Sequence, residues 1–266
     1  MISIKSLSSS FKLSDIRINI CRTSLLVVAL SRDSARAHKF PSESRFFELS
    51  RIFLKGRNIA DEILKHPDYF EVHNIFTIRD LFNARVHYGH KEGSLDNRML
   101  PYIYGSRLGH LIFDLDKTAQ HLRDALNFTA HIAFRDGVIL LFNRNALNAH
   151  LVEKKALEMG EFSHTRFWRG GIFTNANVQF GAVTRLPDLC IFLNTQNNVL
   201  NQHSAVRDSA KMAIPTIGIV DSNCNPNLIT YPVPGNDDSP VAIELYCNLF
   251  KEAIQRGKQK RKELLG

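Results

Sequence analysis

The chain has few of the devices that give a protein chemistry or carry it through a membrane. Its four cysteines, Cys21, Cys190, Cys224 and Cys247, stand far apart with no C-x-x-C pair. Neither a structural zinc site nor a disulfide framework is therefore encoded, and the four read as reduced thiols. The longest apolar run, Leu25 to Leu30, is far short of the roughly 20 residues that a membrane-spanning helix needs. Neither G-x-G-x-x-G nor G-x-x-x-x-G-K-[ST] occurs, so a backbone cradle for phosphates is missing in its usual forms. No G-x-S-x-G elbow is present, and Cys190 lies in an apolar stretch that disfavours a thiolate. Residues 75 to 255 hold no internal repeat or long low-complexity linker, which makes that stretch one domain.

Positive charge is in excess, with a formal +8 over 266 residues and a pI near 9.4. Such a balance favours a polyanionic partner, nucleic acid or an anionic surface, through long-range attraction and counterion release. The excess sits at the ends. Lys5, Lys12, Arg17, Arg22, Arg32, Arg36 and Lys39 face only Asp15 and Asp33, among many serines. That is the composition of a mitochondrial presequence over residues 1 to 40, expected to be removed on import. Arg256, Lys258, Lys260, Arg261 and Lys262 stand against Glu263 alone, a basic carboxyl-terminal tail over 256 to 266 of the kind that orders against phosphates. The stretch between them is nearly neutral, so net charge says less than where single cations fall.

Residues 41 to 75, with Phe46, Phe47, Leu49, Ile52, Phe53, Ile59 and Ile63 among charges, form a loosely helical extension that packs on its own domain or on a neighbour. Beyond it short apolar runs alternate with helical patterns. Strands are predicted at Leu111 to Leu115, Val138 to Phe142, Phe162 to Trp168, Leu189 to Leu193 and Thr216 to Val220. Helices are predicted from Lys117 to Phe134 behind Asp116, from Ala146 to Met159 behind Asn145, from Asn201 to Met212, and from Ser239-Pro240 to about Arg256. Apolar strands separated by helices give a doubly wound α/β fold, a mainly parallel sheet flanked by helices on both faces.

Single residues offer little chemistry. His87-x-x-His90, with His73 and His110 in the same region, lacks a carboxylate or thiolate at a matching interval, so no metal site is assigned. Gly170-Gly171 reads as a structural turn, and Asp237-Asp238 as acids favouring a positive helix end. What remains are loops mixing cations, amides and rings: His87 to Lys91 on through Asn97-Arg98, Tyr102, Tyr104 and Arg107, and His164 to Arg169 followed by Thr174-Asn175. Cations meet phosphates while rings and amides meet bases and riboses, which suits RNA. From the residues alone, a nucleotide-binding enzyme on the same kind of sheet and a free RNA-binding regulator stay open.

Six blocks in order carry a resemblance. Asp80-Leu81 leads to Val86-His87-Tyr88-Gly89-His90; Met99-Leu100-Pro101-Tyr102-Ile103-Tyr104-Gly105-Ser106-Arg107 follows, then Phe113-Asp114-Leu115-Asp116-Lys117-Thr118. Arg166-Phe167-Trp168-Arg169-Gly170-Gly171-Ile172-Phe173-Thr174-Asn175, Leu186-Pro187-Asp188, and Ile214-Pro215-Thr216 through Asp221-Ser222-Asn223 to Pro234-Gly235-Asn236-Asp237-Asp238 complete the series. Together they resemble the small ribosomal subunit protein 2 family in its bacterial and organellar form, over about residues 76 to 255. Two departures stand out. Only Ala176 to Arg185 fill the interval that holds a long helical hairpin in bacterial members, and Arg169 stands where the family has leucine. With the presequence-like start, this resembles the mitochondrial form without its hairpin insertion.

The resemblance implies a structural constituent of the mitochondrial small ribosomal subunit, located in the matrix. Its implied partners are small-subunit ribosomal RNA and neighbouring small-subunit mitochondrial ribosomal proteins. It implies no catalysis, cofactor, membrane insertion or homo-oligomer. The residues expected to meet RNA are His90, Lys91, Arg98, Arg107, Arg166, Arg169, Asn175 and Arg185, with Lys258, Lys260 and Arg261 in the tail.

Overall fold

In a computed structural model the predicted parallel sheet is present. Four of its strands, β4 (Ile139–Phe142), β5 (Phe162–His164), β6 (Leu189–Phe192) and β9 (Thr216–Val220), fall on predicted strands, though β5 ends at His164 rather than running on to Trp168. A fifth, β10 (Tyr231–Pro234), joins them in the order β10-β9-β6-β4-β5, every pair parallel. Pro232 and Pro234 conceal β10 in the sequence, and it lies at the sheet edge, where a strand can lack ladder donors. The structure describes residues 64–181, 183–198 and 201–265. The chain divides into two units, 1–59 and 60–266, and all described residues belong to the second. The presequence expected over 1–40, and the part of the 41–75 extension before residue 64, lie outside the described residues.

Alternation along each strand sends side chains to two different helical layers. Cys190 and Phe192 of β6, Phe142 of β4 and Val220 of β9 join one cluster with Trp168, Ala205 and Val206, which brings helix α5 (Ser204–Lys211) onto that face. The intervening Leu189, Ile191, Ile139, Leu141, Ile217 and Ile219 are wholly buried and face the opposite way. There α6 (Pro240–Leu265) packs against both α2 (Leu115–Phe134) and α3 (Ala149–Met159). The doubly wound α/β architecture is thus present as predicted.

Several elements differ from their expected positions. The segment predicted as a strand at 111–115 is β3 (His110–Phe113), and it belongs to a separate sheet. It pairs antiparallel with β2 (Ile103–Arg107) and β1 (Tyr88–Lys91). The cause is local: Leu108 and Gly109 have φ of 54° and 74°, the left-handed pair that closes a tight hairpin. Asp114 rather than Asp116 caps α2, its Oδ1 accepting from the Asp116 amide. Residues 201 and 202 form β8 (Asn201–Gln202) against β7 (Gln196–Asn198), so α5 starts later than predicted.

The last helix also runs past Arg256 to Leu265, taking in the stretch read as a tail. Gly257 permits this. A Cβ there would lie 2.5 Å from the Ala130 carbonyl oxygen, so the helix continues because α2 and α6 cross with their backbones close. The described part of the extension packs on its own domain. Phe70 and Val72 are buried, Phe70 sets its ring 4.9 Å from His131, and Asn127 donates to the Pro67 carbonyl at 2.9 Å.

Candidate nucleic-acid interface

The loops that leave the carboxyl ends of the parallel strands meet the small antiparallel sheet at one edge of the domain. His90 of β1 is held there from three sides. Its amide donates to Ser222 Oγ at 2.9 Å, its Nδ1 lies 3.1 Å from Asp221 Oδ1, and its Nε2 lies 3.3 Å from Asp238 Oδ2. Gly89 makes the approach possible, since a Cβ would stand 3.2 Å from Ser222 Oγ and 3.3 Å from the Leu111 carbonyl oxygen. The hydrogen bond that His90 donates to Asp221 raises the His90 pKa to about 9 against partial burial, with the charges of Asp221, Asp238 and Asp237 adding to the rise. Asp237 differs from its neighbour. Burial, followed by the charges of Asp221 and Asp238, pushes its carboxyl well above the usual range, opposed by a bond from Asn194 Nδ2 at 2.9 Å.

Ligand atoms of His90, Asp221 and Asp238 lie within 4.8 Å of one another, the one such grouping among the described residues. Each imidazole nitrogen already faces a carboxylate, and a protonated ring has no lone pair for a metal. The set is an ion-paired clasp between the two sheets. It makes Asp238 a partner of His90 as well as an acid near the start of α6, which sequence reading did not anticipate.

The residues expected to meet RNA separate into two groups. His90, Lys91, Arg98 and Arg107 lie on or beside the antiparallel sheet. Lys91 and Arg107 are exposed with no ion pair among the described residues, while Arg98 stands 3.8 Å from Asp96. Arg166 and Arg169, in the loop after β5, are likewise exposed and unpaired. Asn175 is exposed at the start of α4 (Ala176–Phe180) without a side-chain capping bond.

The second group lies at the amino ends of the strands and is used internally. Arg185 bonds Asp188 at 2.8 Å and also the Asp136 carbonyl. Arg261 pairs with Asp136 at 3.4 Å, and Lys258 reaches Glu161 at 2.5 Å and the Met159 carbonyl at 2.8 Å. Lys260 pairs with Glu263 along the same helix. Sequence spacing gives no sign of the partners of Lys258 and Arg261, because Glu161 and Asp136 belong to the loops before β5 and β4.

Two aromatic residues also depart from expectation. Trp168 is buried and donates from Nε1 to Asp208 Oδ2 at 3.0 Å, so of the Phe167-Trp168 pair only Phe167 faces solvent. His87 is buried and stacks on Phe82 at 4.5 Å, its pKa lowered by burial. Sequence reading gave no binding role to Arg144, Asn145, Asn194, Gln196, Asn197 and Asn223, which line a cavity of about 230 Å³ beside His90. Their signal was present: each polar run directly follows an apolar strand, where open α/β sheets place ligand-facing loops.

A family model described as "Ribosomal protein S2" matches residues 81–181 and 178–257. The chain belongs to the ribosomal protein S2 family. A bovine relative, "Small ribosomal subunit protein uS2m", is 58% identical over 210 residues, covering 79% of this chain and 72% of the relative. Among bacterial relatives, small ribosomal subunit protein uS2 of Wolbachia pipientis is 30% identical over 221 residues, covering 68% of this chain and 82% of that one. The protein of Rickettsia bellii is 28% identical over 224 residues, covering 68% and 76%. The likeness to uS2m places the chain in the mitochondrial branch of the S2 family. The S2 blocks of the sequence fall at distinct places in the fold: the H-Y-G-H turn is β1 with its clasp, whose carboxylates are Asp221 of the D-S-N segment and Asp238 of the P-G-N-D-D segment.

Proposed function

We propose that this chain is a structural, non-enzymatic constituent of the mitochondrial small ribosomal subunit, held in the matrix by small-subunit rRNA and neighbouring ribosomal proteins. The observation that carries the reading is the 58% identity to bovine uS2m over most of the chain. The RNA-facing surface is the carboxyl-end edge. There Lys91, Arg107, Arg166 and Arg169 are exposed and have no ion pair among the described residues, free to exchange counterions for phosphates, with Arg98, His90 and Asn175 among them. The cations at the opposite end, Arg185, Lys258 and Arg261, brace the domain through their ion pairs.

The two matched family segments meet at residues 178–181, and only ten residues, 176–185, separate the T-N and L-P-D motifs. Both support a subunit surface from which the bacterial helical hairpin is absent. Sedimentation tests the whole reading. A tagged chain should run with small subunits through a gradient and be released by high salt or RNase. A chain found only in the soluble matrix pool refutes it.

A further inference from the structure

The cavity bounded on one side by His90, Asp237 and Asp238 is otherwise walled by carboxamides, Asn145, Asn194, Gln196, Asn197 and Asn223, with the guanidinium of Arg144 among them. Resting on the RNA-binding reading, we infer that this crevice takes a single unpaired base of the bound RNA, swung out of its strand.

Position is the first argument. The strand order β10-β9-β6-β4-β5 reverses at β4 and β6, since the chain leaves β4 toward β5 on one side and later returns to β6 on the other. Arg144 and Asn145 follow β4, Asn194 and Gln196 follow β6, and Asn223 follows β9. This is the switch-point crevice in which doubly wound sheets bind ligands.

Chemistry and size select a base rather than a whole nucleotide. A carboxamide offers a donor and an acceptor side by side, the same mixed edge that a base presents. Arg144 and Asn197 make no hydrogen bond or ion pair among the described residues, and neither Asn145 Nδ2 nor Asn194 Oδ1 has a partner there. Gln196 and Asn223 bond each other and fix that wall, which leaves Arg144, Asn197, Asn145 Nδ2 and Asn194 Oδ1 as the open polar groups of the lining. A guanidinium plane can stack on a base in place of an aromatic ring, and no Phe, Tyr or Trp among the described residues lines the crevice.

The glycine-rich phosphate cradle is absent. After β4 the chain instead turns on its own amides, Asn143 Nδ2 donating to the Asn145 carbonyl and Asn145 Oδ1 accepting from Leu147. A volume of about 230 Å³ falls below the range of roughly 300–1,000 Å³ that drug-sized ligands fill, which suits one ring system. Lys91, Arg166 and Arg169 remain outside for the flanking phosphates.

The experiment compares small subunits carrying the wild-type chain, Arg144→Gln or Asn197→Ala. Neither residue holds an internal bond among the described ones, so a loss of folding is not expected, and thermal unfolding of each purified chain checks this. Dimethyl sulfate, kethoxal and a carbodiimide read base edges, while hydroxyl radicals read the backbone. With wild type, one unpaired nucleotide should be protected. In each variant that base should regain reactivity while the backbone footprint stays, and affinity for the rRNA should fall by roughly 5- to 150-fold, the worth of one stacked base. A backbone footprint with no base whose protection depends on Arg144 or Asn197 overturns the base site while leaving the RNA-binding reading intact. Loss of the backbone footprint with wild type itself overturns both.

Discussion

Raising the pH from 6.5 to 9 should remove the charge that clasps β1 to the carboxyl ends of β9 and β10. His90 titrates near 6.5 when unfolded and near 9 in the fold, because Asp221 and Asp238 hold its proton. The folded-state value is the higher one. Its stabilisation is therefore complete below pH 6.5 and is lost as the pH climbs through about 9. At ~1.4 kcal/mol per pH unit, the interval is worth ~3 kcal/mol, a large share of the ~5–15 kcal/mol that keeps a domain folded.

Other groups titrate nearby, so a single profile is not diagnostic. Cys190, Cys224 and Cys247 are pushed up to about 12 by burial, and they add their own loss above pH 9 because they ionise more readily once unfolded. His203, lowered to about 4 by burial, works in the opposite sense and weakens the fold as pH falls below 6.5. Comparison with His90→Gln isolates the clasp. In urea unfolding followed from pH 6 to 9, the wild type should lose ~3 kcal/mol more than the variant. Parallel curves for the two proteins would show that the imidazolium contributes nothing.

Four further outcomes follow from the packing and the distribution of charge. Neutralising Arg166 and Arg169 to alanine should lower the salt slope of rRNA binding by about one for each that meets a phosphate, whereas Lys258→Ala should leave the slope unchanged. Lys258→Ala should instead lower stability by ~1–3 kcal/mol in denaturant titrations, because it leaves the buried Glu161 carboxylate without its cation. Gly257→Ala drives a methyl into the Ala130 carbonyl and should cost ~1–3 kcal/mol, read as a Tm lower by several degrees. Trp168→Phe keeps the ring but strands the Asp208 carboxylate, and urea unfolding should find a loss of ~1–3 kcal/mol.

Residue order was enough for much of this protein. Apolar runs of four or five residues between helical patterns dictate buried parallel strands, because a strand covered on both faces leaves no polar position to fill. That made β4, β6 and β9 legible to within a residue or two, along with the layers around them. The family blocks were equally legible, since they are strings of adjacent residues. Local geometry limited the reading elsewhere: a left-handed pair at Leu108-Gly109 removed β3 from the main sheet, and Pro232 and Pro234 hid an edge strand.

Only the tertiary structure decided which cations are available. Lys91 and Lys258 look alike in sequence, yet one is exposed with no ion pair among the described residues and the other is bound to Glu161, 97 positions away in number but adjacent in space. The clasp of His90 by Asp221 and Asp238, and the amide-lined crevice beside it, have the same origin. A parallel sheet collects at its carboxyl end residues that the helices between strands keep far apart along the chain, so their meeting leaves no mark in any local stretch of sequence.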